Sequence, residues 1–440
     1  MSDAGKLKRQ LGIRTATALI VGEVIAVGIF LTPAGMAKSL GSPFWLLVVW
    51  LAMGGMALCG ALCYGELAAR FPEAGGGYVY LREAFGRPIA FLYGWMALLV
   101  MDPGLTAVLA VGLASYGGYI FKLSTTGLKA VAIGAIVLVA LVNVRGVKLG
   151  GGLIRWLTIS KLGLIAVVIL GGFALGSGNW SNFQPLLAQR AGSQPLLGAL
   201  AAGVVGAFFS FGGWWDLTKL AGEVRNPEKT LPRALVFGVS ILTVVYILTS
   251  AAFMYLVPLE QVTTGETFIA QAGQVLFGQA GAHILSGIVI VAVLGSLAAV
   301  VMSAPRVYFA MARDGLFISA AAQIHPRYGT PARAIIIQAT LATLLVLVGT
   351  FDTILSYFVF VVVLFIGLTV ATLFVLRRRV DQSTVYRTPG YPFTPIIFLI
   401  LLGLLLFLLG TNRPEQAALG VAVVALGLPV YYLLFHRKRP

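Results

Sequence analysis

The sequence predicts an all-α membrane protein with about twelve transmembrane helices, and three observations predict it. Hydrophobic residues make up 59% of the 440 residues and charged residues 10%, where a soluble globular domain carries about 25% charged residues. About twelve apolar stretches reach the ~20 residues that a spanning helix needs, with almost no long polar segment between them. The charge is also sorted. With the N-terminus inside, 25 of the 31 lysines and arginines fall on inner segments. Five fall on outer ones (Lys38, Lys122, Lys129, Arg190, Arg413), and Lys161 lies inside a span. That bias places both termini in the cytoplasm. It accounts for the net charge of +16 without nucleic acid, and basic loops of this kind also meet anionic lipid. A single membrane domain over 1–440 in the cell inner membrane follows. The polar N-terminus lacks the short apolar core and cleavage site of a signal peptide.

The spans are expected over 12–38, 43–70, 88–121, 128–145, 152–176, 195–222, 232–257, 281–312, 332–350, 352–378, 393–411 and 415–435. The first contains LIVGEVIAVGIFLTPAGM, with three glycines, a proline and Glu23 inside what otherwise reads as one helix. The second holds the only two cysteines, Cys59 and Cys63, one turn apart. Two ligands are too few for a metal, so these are small packing residues. Its inner end pairs Glu66 with Arg70 at i,i+4. In the third, Asp102 precedes Pro103 and Gly104, which should kink the helix.

The fifth span carries Lys161, six residues past Arg155. A buried ammonium costs at least a few kcal/mol, so an intramembrane lysine reads as functional. The competing reading is snorkelling to the interface. A desolvated lysine can also shed its proton, which keeps a proton-coupled role open. The sixth span is interrupted in AFFSFGGWWDLTKL, where Gly212 and Gly213 sit between aromatics. Trp214 and Trp215 there line a site or pack. Past it, Glu223, Arg225, Glu228, Lys229 and Arg233 crowd an inner loop, with Arg306 and Arg313 at the inner end of the eighth span. They form either gate ion pairs or a solvated loop.

Gly28 and Gly212 each open a run of five spans. Five is odd, so the second run enters the membrane from the opposite side. Residues 12–190 and 195–378 then read as two inverted repeats, with 393–435 outside them. Glycine-interrupted helices in corresponding places of two halves point to a transporter's binding site. At each break one half-helix offers amides and a positive dipole end to an anion. The other half-helix offers carbonyls to a cation. An α-amino acid carries both charges, so the breaks read as a socket for one. Glu23 lies one turn before Val27. It accepts a cationic side chain, carries a proton, pairs with a basic neighbour, or faces the inner vestibule.

Enzyme constellations are missing: His283, His325 and His436 lie near span ends, and no Gly-x-Ser-x-Gly, phosphate-binding loop or Cys/His cluster appears. No metal or cofactor is expected.

GEVIAVGIFLTP, FFSFGGWWDL, AGEVRNPEKTLPRA, RWLTISKLGLIAVVIL and MARDGLF together resemble the amino acid–polyamine–organocation superfamily. Within it they are most similar to bacterial relatives of the L-amino-acid transporter light subunits. The resemblance implies a leucine-transporter-type 5+5 inverted repeat plus two helices. It implies the substrate carboxylate on the amides of Val27 and Gly28, and the ammonium on the carbonyls of Val24, Phe209, Ser210 and Gly212. It implies Phe209 as an aromatic gate, with Phe211 beside it. The family pattern Gly-Ser-Gly-Ile-Phe reads Ala26-Val27-Gly28-Ile29-Phe30 here. The missing glycine and serine should narrow and stiffen the socket. Lys161 is implied as a surrogate for the coupling cation of Na+-dependent relatives, with Ser296 or Ser303 as its eighth-helix partner. Light subunits bond a heavy subunit through a cysteine between the third and fourth spans. That loop reads FKLSTTGL here, so no disulfide-linked partner is expected.

The resulting reading is an amino-acid exchanger working without sodium. The alternatives are an H+-coupled amino-acid or polyamine symporter and a membrane sensor that binds without translocating.

Overall fold

The computed structural model describes residues 7–174, 176, 178–262, 268–348, 351–379, 386–412 and 414–435. Arg413 and His436 lie outside them. All regular structure among these residues is helical. Among the described residues, ten helices are long and apolar enough to cross a membrane. The first expected span is instead two short helices, α1 (Ile13–Val24) and α2 (Val27–Leu40), and the ninth is a 17-residue apolar helix, α14 (Ala332–Val348).

Local chemistry sets the boundaries. Gly41, at φ +59°, ends α2 in the left-handed region that glycine tolerates. The Ser42 hydroxyl accepts from the Trp45 amide and Pro43 opens α3 (Pro43–Arg70). A short helix α4 (Gly77–Phe85) precedes the third span. That span runs through α5 (Arg87–Met96), a widened π-type turn at Ala97–Met101, and α6 (Asp102–Phe121). The disturbance expected at Asp102-Pro103 therefore lies in the turn just before it. Ser124 caps α7 (Thr125–Val144), and α8 (Val147–Ala174) follows.

The sixth span is α9 (Leu196–Phe211), which stops at Gly212 and resumes after Gly213 as a 3₁₀ segment, Trp214–Glu223. Then come α10 (Pro227–Leu256), α11 (Phe268–Phe277), α12 (Gln279–Ser303) and α13 (Pro305–Arg313). After α14 the chain ends in α15 (Phe351–Arg379), α16 (Phe393–Asn412), α17 (Pro414–Ala425) and α18 (Gly427–Leu434).

Helix α1 lies among α8, α10 and α12, and α2 lies against α9. Both broken segments are thus wrapped by the rest of the bundle. The outward faces of α7, α8 and α16 expose Leu138, Trp156, Leu170, Ile400 and Phe407. Lipid accepts such an apolar surface and water does not, and the chain is a multi-pass membrane protein. Glu66 is fully buried. It takes Arg70 at 2.9 Å, Arg377 at 2.5 Å and the Thr388 amide at 2.7 Å, locking α3 to α15. Cys63 is buried and Cys59 half-buried, both free.

Candidate functional site

The first break is two residues long. Ile25 (ψ 83°) and Ala26 (φ −128°, ψ −152°) leave the helical region, and no side chain caps the start of α2. The first amides of α2 therefore have no intrahelical acceptors. Nor have the last carbonyls of α1 all found amide donors, and side chains from three other helices meet them.

Lys161 of α8 is 1% exposed. Its ammonium donates to the carbonyls of Gly22 and Ile25, both at 2.7 Å, and to Ser296 Oγ of α12 at 3.1 Å. Ser296 Oγ in turn lies 2.8 Å from Gly22 O and 3.0 Å from Ile25 O. The three ammonium hydrogens thus meet three acceptors, and snorkelling is not the arrangement found. Gly295 packs closely on α8, where a Cβ would sit 3.0 Å from Leu157 Cβ and 3.4 Å from Lys161 Nζ. Ser303, the other expected partner, lies 3.4 Å from Asp216 Oδ2 instead.

Val24 O, expected to face a substrate ammonium, has a protein partner. The Tyr246 hydroxyl of α10 lies 2.9 Å from it and 2.8 Å from Ser210 O. One hydroxyl proton thus reaches both broken helices. Trp50 and Phe211 flank Tyr246 edge-on, at centroid distances of 5.2 and 5.0 Å. Phe209 is half-buried, and its carbonyl accepts from the Gly212 amide at 3.1 Å. Sequence reasoning missed Tyr246. The available signal was a hydroxyl-bearing aromatic deep in an apolar span.

The two breaks touch directly. A Cβ on Gly28 would lie 2.7 Å from Ser210 Cα, so only glycine permits this approach. Thr32 Oγ1 donates to Gly28 O at 2.8 Å and lies 2.7 Å from Ser210 Oγ. Ile29 and Ala26 are buried in the same region. In the sixth break Gly213 adopts φ +109°, which a side chain would strain, while Gly212 stays at φ −57°. Trp214 and Trp215 are buried and meet edge-on at 5.3 Å. The void they border with Met53, Phe211 and Phe398 holds 10 Å³, at or below the space one water needs.

The 3₁₀ segment carries a second buried cluster. Lys219 donates to Asp102 Oδ1 at 2.9 Å and Asp216 Oδ2 at 3.0 Å, and Tyr308 donates to Asp102 Oδ2 at 2.9 Å. Glu23 is 5% exposed and leans on the sixth break, its Oε1 3.5 Å from where a Gly213 Cβ would be. Farther along, Arg306 Nε donates to Glu223 Oε1 at 2.7 Å, both side chains buried. The Glu223 carbonyl accepts from the amides of Gln10 and Leu11. Of the charges expected to crowd this loop, Glu223 and Arg306 pair. Arg225, Glu228, Lys229 and Arg233 are exposed, and Arg313 lies over Phe309. Arg82, Tyr78 and Asp314 interlock nearby.

Two facing helix breaks thus lie inside this membrane bundle, joined through the Tyr246 hydroxyl, with Lys161 holding the first. An amino acid permease family model matches residues 11–434. The chain belongs to that family. The permease is 32% identical to the serine/threonine exchanger SteT of Bacillus subtilis, over 98% of each chain. It is 30% identical to the b(0,+)-type amino acid transporter 1 of Mus musculus, over 98% of this chain and 88% of that one. It is also 30% identical to the large neutral amino acids transporter small subunit 2 of Homo sapiens, over 97% of this chain and 80% of that one. All three are transporters rather than enzymes. The permease therefore sits with amino acid transporters of the amino acid–polyamine–organocation superfamily.

Proposed function

We propose that this permease exchanges amino acids across the plasma membrane by alternating access, without sodium. The broken helices are read as corresponding elements of two inverted repeats, 12–190 and 195–378, with 393–435 outside them and both termini cytoplasmic. The substrate carboxylate takes the amides of Val27 and Gly28 at the start of α2. The substrate ammonium takes carbonyls of the facing breaks, from Val24 and from Phe209, Ser210 or Gly212. Tyr246 then yields Val24 O or shares it. Ala26, Ile29 and Phe211 shape the pocket, and Phe209 closes it.

One observation carries the sodium-free reading: the Lys161 ammonium on Gly22 O, Ile25 O and Ser296 Oγ. Two backbone carbonyls and a hydroxyl around a positive charge are the kind of ligand set that a small cation takes. With a tethered cation already there, no dissolved one is required. A serine/threonine exchanger among the relatives and the Ala26 methyl at the break both support small neutral substrates. The loop FKLSTTGL, free of cysteine, supports transport without a disulfide-linked subunit.

The test is counterflow in proteoliposomes holding the purified chain alone, with a panel of labelled amino acids. The expected result is exchange of small neutral amino acids, unchanged when sodium is replaced by choline. Uptake that requires an inward sodium gradient, or a second polypeptide, would overturn the proposal.

A further inference from the structure

Among the described residues five carboxylates are fully or nearly fully buried: Glu23, Glu66, Asp102, Asp216 and Glu223. Three of them have a donor on each oxygen. Glu66 has two arginines and an amide, Asp102 has Lys219 and Tyr308, and Glu223 has Arg306 on both oxygens. The remaining two, Glu23 and Asp216, each leave one buried oxygen without a partner. Both sit against Gly213: Glu23 Oε1 lies 3.5 Å from where a Gly213 Cβ would be, and the Asp216 amide donates to the Gly213 carbonyl at 2.9 Å, which makes the two buried carboxyls neighbours. Two ionised carboxylates in such contact repel, and burial removes the water that would screen them.

The neighbours do not correct the imbalance. Lys219, on the 3₁₀ segment with Asp216, is divided between Asp216 and Asp102 of α6. Lys161 of α8 lies beside Glu23 but spends its hydrogens on two carbonyls and Ser296. From α13, Tyr308 donates to Asp102; from α12, Ser303 lies by Asp216; from α10, Tyr246 serves Val24 O and Ser210 O. Tyr64 of α3 and Tyr93 of α5 are buried beside the cluster. Three carboxylates against two ammoniums leave one negative charge. A single proton neutralises the group and supplies the missing donor.

We propose that Glu23 and Asp216 bind one proton between them, as a carboxylic acid hydrogen-bonded to a carboxylate, while the two breaks are in contact. The O–H forms on one carboxyl and the other accepts from it. When the breaks separate and water enters, the O–H breaks, the proton leaves to water and both carboxylates ionise. The site ties α1 to the 3₁₀ segment after the sixth break, so it senses the contact of the two broken helices. A proton needs no room. A cationic substrate side chain does, and the void bordering the sixth break holds 10 Å³. That the proton cycle accompanies transport rests on the exchanger reading, whereas occupancy of the site does not.

The test therefore has two readouts. Infrared difference spectra of the purified protein in lipid, recorded against pH, should contain a protonated-carboxyl C=O band that vanishes at high pH. Glu23→Gln and Asp216→Asn should each remove it. Counterflow at varied pH is the second readout. One coupled proton changes the rate by up to about tenfold per pH unit on the far side of its titration. Glu23→Gln, a near-isosteric copy of the acid form, should flatten that dependence to under about twofold while exchange persists. A wild-type spectrum without such a band, a band that survives both substitutions, or an unchanged pH profile in Glu23→Gln would overturn the proposal. So would a variant that alters only the choice between lysine and alanine, since the pair would then serve a substrate cation. Band loss in both variants of a protein that exchanges no amino acid would support the proton site and refute the exchanger reading instead.

Discussion

Lys161 and Glu23 are buried charges on either side of the same helix break. Lys161 has an acceptor for each ammonium hydrogen, two of them the Gly22 and Ile25 carbonyls that flank Glu23 and close α1. Glu23, on the adjoining turn, keeps an oxygen with no donor and faces another carboxyl. The difference lies in what each charge is matched to. Lys161 is matched to backbone, whose carbonyls the break itself leaves open. Glu23 is matched to a side chain of equal sign on the other broken helix. The break is thus firmly held on its α8 and α12 side and conditionally held on its sixth-span side. A two-sided transporter needs such an asymmetry, because one wall of the site must stay while the other moves.

Substitutions on the two sides should therefore differ. Lys161→Met should have the largest effect. It keeps the stem but removes three charge-assisted bonds, each worth roughly 1.5–3 kcal/mol, and orphans two carbonyls in a dry interior. We expect a clear fall in the melting temperature of detergent-purified protein. Glu23→Gln should leave melting nearly unchanged, since the amide copies the protonated acid and can still donate to Asp216. Equal destabilisation by both would erase the asymmetry.

Gly28→Ala comes next. Its methyl meets backbone at Ser210 rather than a pliable side chain, so the breaks must part. Membrane insertion should be normal and amino-acid binding weakened more than about tenfold, roughly 1.4 kcal/mol. Wild-type affinity would place the site elsewhere. Tyr246→Phe keeps the packing with Trp50 and Phe211 and deletes only the hydroxyl. Loss of one buried donor is worth about 1–2 kcal/mol, so affinity should fall several-fold up to about tenfold. Tighter binding would instead mean that the hydroxyl competes with the substrate ammonium for Val24 O. Ser296→Ala should be mildest, because Lys161 still reaches both carbonyls. We expect less than about a threefold change in exchange rate, under 1 kcal/mol.

Much of this was legible in the sequence because membrane physics leaves few choices. An apolar run long enough to span, a glycine pair between aromatics, and a lone lysine in a span each have a narrow meaning in lipid. Glu66–Arg70 was readable because i,i+4 spacing on a helix fixes the distance. Longer-range matching was not readable. Asp216, Lys219 and Asp102 converge only after the 3₁₀ segment turns back toward α6, and nothing in their spacing, 114 positions between Asp102 and Asp216, announces it. Gly212 drew notice as the sixth-span weak point, yet Gly213 holds the conformation that requires glycine. Adjacent glycines are indistinguishable until the backbone is seen. Ser296 and Ser303 likewise share a helix seven residues apart. Only the position of α12 against α1 sends the first to Lys161 and the second to Asp216.

In the proposed exchanger a tethered ammonium at the first break does the work of a dissolved cation. Sodium-free counterflow of a labelled small neutral amino acid tests it most directly, comparing wild type with Lys161→Ala at matched protein in the vesicles. Robust exchange by wild type in choline medium is expected, with at least about a tenfold loss in the variant, roughly 1.4 kcal/mol. Undiminished exchange by Lys161→Ala, or a wild type that is silent until sodium is added, would contradict it.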